Sequence, residues 1–278
     1  MPSGQLKQAL GQLFGRGAAG VAMPTPMNRA EVEAAVGEKR SLAGVDLSGV
    51  DLTGLSLAGM DLQGTNLQGA NLRGVVLSGA NLSDTRLSGV DLTGANLAGA
   101  NLTDANCLRT GANPDQPVVL REANLVGAVM LGSNLAHADL SGANLEGAVL
   151  REANFNAADF TGARLVNANL DGVNLRRARL EGADLTGADL STADLTRAAC
   201  ARASFAGATL RRASLAEADL QDCDFTGANL TETDLERSDL RRARVRDATV
   251  LRADFDDAKL EDADLSGLDT STAYNLNG

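Results

Sequence analysis

The sequence repeats every five residues, and no other feature of it limits the fold so tightly. Leucine stands at every fifth position from Leu42 to Leu102 and the series closes at Cys107, fourteen units in all. A second series runs for thirty units from Leu120 to Leu265; its centres are leucine except Met130, Phe155, Phe160, Cys200, Phe205, Phe225, Val245, Val250 and Phe255. The position two before each centre is nearly as restricted. In the second series 24 of 30 are alanine, the others being Val118, Ser133, Val173, Cys223, Thr233 and Ser238. Across both series these two columns hold 88 residues and a single charge, Arg40. Unpaired charge is costly to bury, so the partition separates inside from outside residue by residue.

Five is neither the 3.6 period of a helix nor the 2 of a plain strand. A chain that turns inward once in five residues must bend at a regular corner. Four such sides close a coil of twenty residues, and coils stack at the inter-strand spacing of about 4.8 Å. Composition fits a thin core extended in one direction. Aromatics are 3% of the chain, tryptophan is absent and Tyr274 is the one tyrosine, yet hydrophobic residues reach 44%. The chain is too apolar for disorder and too poor in rings for an ordinary globular core of 278 residues.

Units such as Ala183-Asp184-Leu185-Thr186-Gly187 and Ala143-Asn144-Leu145-Glu146-Gly147 resemble the pentapeptide-repeat consensus A(D/N)LXX, and the resemblance covers residues 40 to 267 apart from one interruption. It implies an all-β fold, a right-handed quadrilateral β-helix of about eleven coils, with the central Leu or Phe and the preceding small residue pointing inward. Stacked repeats need capping at their ends.

The chain divides into residues 1–40, a first array over 41–107, an ejected loop over 108–119, a second array over 120–268 and a tail over 269–278. Residues 1–40 lack the repeat. Leu6, Leu10, Leu13 and Phe14 share one face of a possible helix, and Asn28 followed by Glu31 is a capping-box start for a second helix near 29–39. The expectation is a short N-terminal helical cap. Gly111, Pro114 and Pro117 interrupt the repeat. Loops on a rigid scaffold often carry function, which makes Arg109, Asn113, Pro114, Asp115, Gln116 and Pro117 candidate partner-binding residues; a tolerated insertion is the plain alternative. In quinolone-resistance relatives, loops projecting from the solenoid are needed to handle gyrase.

Motifs that resemble chemistry read poorly in context. Gly15-Arg16-Gly17-Ala18-Ala19-Gly20 spells GxGxxG, but a dinucleotide fingerprint needs a strand before it and a helix after it. His137 is the only histidine, on an outward position, and Cys107, Cys200 and Cys223 fall in inward columns as apolar filler. No catalytic residue, cofactor or metal site is expected. Three scattered cysteines suit a reducing compartment, and no cleavable leader or span of roughly 18 apolar residues is evident. The expected location is the cytoplasm, or outside it by a secretion route that needs no signal.

The net charge of −11 invites comparison with family members that mimic DNA and occupy gyrase or topoisomerase IV. The first array carries only Arg73 and Arg86 against Asp46, Asp51, Asp61, Asp84, Asp91 and Asp104, which become a candidate acidic face. Arginines interleave through the second array, and the tail from Leu268 to Gly278 is too polar for the apolar C-terminal helix through which the gyrase-directed relatives dimerise; Tyr274 and Leu276 are expected to cover the last coil instead. Direct nucleic-acid binding is disfavoured because the faces are acidic or neutral. The sequence therefore points to a non-enzymatic scaffold that binds a protein partner, such as a secretion-associated adaptor, through its faces or loop. The alternatives are a DNA mimic that binds gyrase or topoisomerase IV and confers quinolone or toxin resistance, and a structural spacer.

Overall fold

The computed structural model describes residues 26–107 and 117–276. The possible helix around Leu6–Phe14, the Gly15–Gly20 motif and loop residues 108–116 lie outside the described residues.

The repeats wind into a four-sided solenoid of parallel coils, made from single-residue bridges. Asp46 pairs with Asn66, Asn66 with Arg86 and Arg86 with Asn106, and three further ladders start at Asp51, Ser56 and Asp61. Partners are 20 residues apart, so each ladder is one face of the rod; the faces are named below by their first residue. Each face makes three main-chain bonds between neighbouring coils. Beside Asp61, Leu62 N donates to Asn81 O (2.8 Å), Gly64 N to Ser83 O (2.8 Å) and Asn81 N to Met60 O (2.9 Å). Within the coil, Thr65 N donates back to Leu62 O (3.1 Å), closing a turn whose third residue has positive φ, as in type II turns.

That third position explains a sequence difference between the arrays. Gly64, at φ +66°, adopts the left-handed region freely. In the second array the same corner is often held by a charged residue, such as Arg177 (φ 57°), Glu217 (φ 58°) or Arg242 (φ 60°), at a backbone cost of about 1 kcal/mol each. The residue before each centre also has a local task. Asp91 Oδ1 accepts from Thr93 N (2.9 Å) and Thr93 Oγ1 (2.6 Å), an Asx turn that recurs along the rod and accounts for the Asp/Asn preference there.

The centres and the alanine column form one continuous core, nearly all at 0–2% exposure. Polar intruders in the alanine column find carbonyl partners. Thr65 Oγ1 donates to Leu42 O (2.9 Å), Thr233 Oγ1 to Leu210 O (2.8 Å) and Cys223 Sγ to Cys200 O (2.9 Å), while Ser133 Oγ donates to Met130 O (2.9 Å). Among the described residues no buried side-chain nitrogen or oxygen lacks a partner.

The interruption does not break the ladders. Asp91 pairs with Val119, Asn96 with Asn124 and Asn106 with Asn134, 28 residues apart rather than 20. The interruption therefore falls at one corner, between Asn106 on the Asp46 face and Val119 on the Asp51 face, and Leu92 N still reaches Val119 O at 2.7 Å.

Helix α1 spans Arg29–Gly37 and starts at the expected capping box, with Glu31 N donating to Asn28 Oδ1 (3.1 Å) and Asn28 N to Glu31 Oε2 (2.8 Å). Val32 and Ala35 are fully buried within the core cluster, and Arg29 Nη1 reaches the carbonyls of Asp51 (3.2 Å) and Thr53 (3.1 Å). At the other end a 3-10 turn over Thr270–Thr272 leads to Tyr274, which bridges Asp254 through its backbone. Leu276 is buried, but the Tyr274 ring is 53% exposed. Of the two residues expected to cover the last coil, Tyr274 does so with its main chain and turns its ring outward.

Candidate interaction surface

The six aspartates read as one acidic face do not share a face. Asp46 begins one ladder, and Asp51 and Asp91 belong to the next. Only Asp61, Asp84 and Asp104 come together: Asp61 begins its ladder, while Asp84 (φ 59°) and Asp104 (φ 56°) stand on successive coils at the corner that closes that face. The separation follows from the twenty-residue coil, which returns to the same face only at every fourth pentapeptide. One coil beyond Asp104 the corner residue is Gly132, and the next is Glu152.

Charge is handled differently in the two arrays. In the second array carboxylates and guanidinia on adjacent coils pair directly: Arg197 Nε with Glu217 Oε2 at 2.8 Å, Arg242 Nη2 with Asp222 Oδ2 at 2.8 Å, and Arg244 Nη2 with Asp224 Oδ2 at 2.8 Å. The guanidinium of Arg197 holds the Glu217 carboxyl below its ordinary range, and Arg242 does the same to Asp222. Of the six first-array aspartates, Asp91 alone forms an ion pair among the described residues, with Arg73 at 3.0 Å. Asp61 accepts from Ser41 Oγ (3.0 Å) and Asn81 Nδ2 (3.1 Å), and Asp84 from Gln63 Nε2 (3.2 Å). Asp61, Asp84, Asp104 and Glu152 have no cationic partner among the described residues. Asp84, Asp104 and, past Gly132, Glu152 leave that corner with uncompensated negative charge, and Asp61 adds to it from the face.

Beside that corner lies an apolar patch on the same face. Leu131 is 38% exposed, one of three large hydrophobic side chains exposed among the described residues. Val129 and Val149 bridge each other on the same ladder and are half-buried, as is Val126 just across the neighbouring corner. Gly127 and Gly147 occupy that corner, so no side chain overhangs the patch from that side. Sequence reading passed over this site. The Met130 and Leu150 face sums to zero charge in the second array, and the zero hides a first half in which Glu152, Asp171 and Asp189 outnumber Arg151 and a second half in which Arg211, Arg212 and Arg252 outnumber Glu232.

Among the described residues reactive groups do not assemble elsewhere. Burial pushes the Cys107 and Cys223 thiols up to about 12, and it raises Cys200 as well. Among the described residues no three His, Cys, Asp or Glu side chains converge as metal ligands. His137 stands alone at an exposed corner (φ 64°). An open groove of about 630 Å³ lies where the C-terminal end of α1 meets the first coils, lined by Val36, Lys39, Met60 and Asp61 among others. Of the candidate loop residues, Pro117 is exposed at the point of re-entry, and Arg109, Asn113, Pro114, Asp115 and Gln116 lie outside the described residues.

Comparison with known proteins agrees with the geometry. The family model for pentapeptide repeats matches residues 41–79, 77–110, 118–152, 153–191, 193–231, 218–250 and 228–267. The chain belongs to the pentapeptide-repeat family. This pentapeptide-repeat protein is 32% identical to HetL, a pentapeptide repeat protein involved in heterocyst differentiation regulation in the cyanobacterium Nostoc sp. strain PCC 7120; the match covers 89% of this chain and 96% of HetL, with a TM-score of 0.36. It shares its fold with QnrB1, a plasmid-mediated fluoroquinolone resistance protein, at 18% identity, 81% and 94% coverage and a TM-score of 0.52. The solenoid is accordingly a right-handed β-helix. No curated protein sequence matches the chain significantly. Among the described residues no helix is long and apolar enough to cross a membrane.

Proposed function

We propose that this pentapeptide-repeat protein is a non-enzymatic scaffold of about eleven coils that binds a protein partner through one face of its rod, with α1 closing the N-terminal end. One observation carries the reading: among the described residues fifteen of the second array's 25 carboxylates are in ion pairs, whereas Asp91 alone is among the first array's six, and Asp84, Asp104 and Glu152 share one corner beside Asp61 with no ion pair. Paired charges stabilise the rod's own surface, and unpaired charges of one sign create a field that steers a complementary partner. Affinity capture from native lysate tests it. Full-length protein should retain a partner that is released by salt, and capture of nothing beyond the background of an unrelated acidic rod would sink the scaffold reading.

A second reading is that the rod mimics DNA and occupies gyrase or topoisomerase IV. Its support is the net charge of −11 together with the fold shared with QnrB1. Against it, the aspartates fall on three faces, and arginines such as Arg176, Arg179 and Arg244 neutralise carboxylates along the second array. A gyrase supercoiling assay with and without a fluoroquinolone separates the two. No protection at micromolar protein would remove the mimic.

A further inference from the structure

The scaffold reading leaves the partner's chemistry open, and the Asp61 face narrows it. On this rod large apolar side chains are turned inward at nearly every unit, yet Leu131 stands outward at 38% exposure with Val129 and Val149 beside it. On one side the patch is bare, because Gly127 and Gly147 hold the corner. On the other side it is rimmed by carboxylates. Asp104 N donates to Leu131 O (2.9 Å), and the Asp104 carboxylate hangs over Gly132, its Oδ1 lying 3.0 Å from where a Cβ at that glycine would be. Glu152 follows one coil further and Asp84 one coil before. Arg151, the nearest cation on the face, is turned to Asp171 at 3.3 Å, and among the described residues Arg86 is the one cation on the adjoining Asp46 face of these coils.

An apolar spot rimmed by carboxylates, whose neighbouring cation Arg151 is already paired, is the arrangement of a binding hot spot, in which a desolvated centre supplies affinity and a charged rim supplies orientation. A nucleic acid would be repelled by this rim, and an acidic protein likewise. We infer that the Asp61 face between Asp84 and Glu152 docks a basic protein segment bearing an aliphatic or aromatic side chain, which seats on Val129, Leu131 and Val149 while its cations meet Asp84, Asp104 and Glu152. The inference rests on the scaffold reading and gives it a surface and a partner chemistry.

Three hexapeptide probes test it on the full chain with labelled Leu and Val methyls: Lys-Lys-Leu-Phe-Lys-Lys, Lys-Lys-Ser-Ser-Lys-Lys and Glu-Glu-Leu-Phe-Glu-Glu. The first should shift the Leu131, Val129 and Val149 methyls saturably, the second should bind about tenfold more weakly for want of the apolar group, and the third should not bind. Leu131→Ser should weaken the first peptide about tenfold, and Asp104→Asn should weaken it by less while flattening its salt dependence. Equal binding of the first two peptides, or shifts spread over acidic corners such as Asp256 and Asp257, would overturn the assignment. So would Leu131 shifts that appear with protein concentration alone, since a second copy would then be the occupant. If native-lysate capture survives Leu131→Ser unchanged, this surface is wrong while the scaffold reading stands; if nothing is captured by either protein, the scaffold reading itself falls.

Discussion

The rings of Phe205 and Phe225 lie 4.9 Å apart and within 4° of parallel, one coil directly above the other. Both occupy the central column, where most coils of the second array carry leucine, and both are buried. Their stacking follows from the coil: the twenty-residue return places the same column at the inter-strand spacing, and flat rings fit that gap face to face. Phe225→Ala should cost about 3–5 kcal/mol, the usual loss for a buried ring that leaves a cavity. Phe225→Leu, which restores the commoner centre, should cost only about 1 kcal/mol. Denaturant unfolding with amide exchange checks both. Exchange should accelerate first in the coils next to Phe225, because repeats depend on nearest neighbours, and equal losses for the two variants would show that packing at this site does not discriminate volume.

The thiols should be inert in the folded protein. Burial holds Cys107 and Cys223 near 12 and raises Cys200 too, so at pH 8 all three remain protonated and shielded. With an aromatic disulfide reagent at pH 8, the native protein should react slowly, Cys107 first because it is only partly buried, and all three should react at once in denaturant. Cys223→Ser should change stability by no more than about 1 kcal/mol. Its hydroxyl can donate to Cys200 O as Thr233 Oγ1 donates to Leu210 O, across the same 23 residues. A fast-reacting native thiol would contradict the burial.

Helix α1 should control the fraying of the first coils. Val32 and Ala35 are at 0% exposure, next to the part-buried Val45, Val50, Leu55 and Met60. Asn28→Ala removes the capping acceptor at a cost of about 1 kcal/mol, and Val32→Asp puts a charge into the core at a larger one. Amide exchange should rise at Leu42 and Leu47 in both variants, more in Val32→Asp, with little change beyond Leu120. Loss of protection along the whole rod instead would mean that the end cannot fray independently of the rest.

What the sequence made legible was the inside. Two columns with a single charged member assigned inward residues one by one, and the buried set matches them because a charge cannot share a column with Leu97 or Ala95. The outside was less legible. A period of five marks which residues face out but not which side of the rod they face, and that needs the period of twenty carried across the insertion after Cys107. Because the coil there spans 28 residues rather than 20, Asp104 falls in line with Gly132 and Glu152, and Asp91 in line with Val119. Without that frame the six aspartates merge into one set. Corner conformation was half legible: Gly64 announces a positive φ, whereas Arg242 at φ 60° gives no such signal, since its side chain serves the ion pair with Asp222 and its backbone bears the cost.

Acid should loosen the rod, and the Asx turns say where. Burial tends to raise the carboxyls of Asp91, Asp139, Asp194 and Asp224, but it is outweighed by bonds from the Ser or Thr two residues on and from an arginine on a neighbouring coil, so all four sit below their ordinary value. A folded-state value below the unfolded one means that the unfolded chain takes up protons first as pH falls. The stabilisation is therefore fully present above about pH 4, the ordinary aspartate value, and is lost as pH drops through the folded values. Urea midpoints should hold level from pH 7 to about pH 5 and then fall. Asp91→Asn should keep the turn, as Asn101 does by accepting from Thr103 N (3.0 Å) and Thr103 Oγ1 (2.6 Å). It should lose the ion pair with Arg73, starting less stable at pH 7 and falling less steeply on acidification. If the variant follows the same pH curve as the parent, the Asp91 carboxylate contributes nothing to acid sensitivity and the bonds from Thr93 are matched in the unfolded chain.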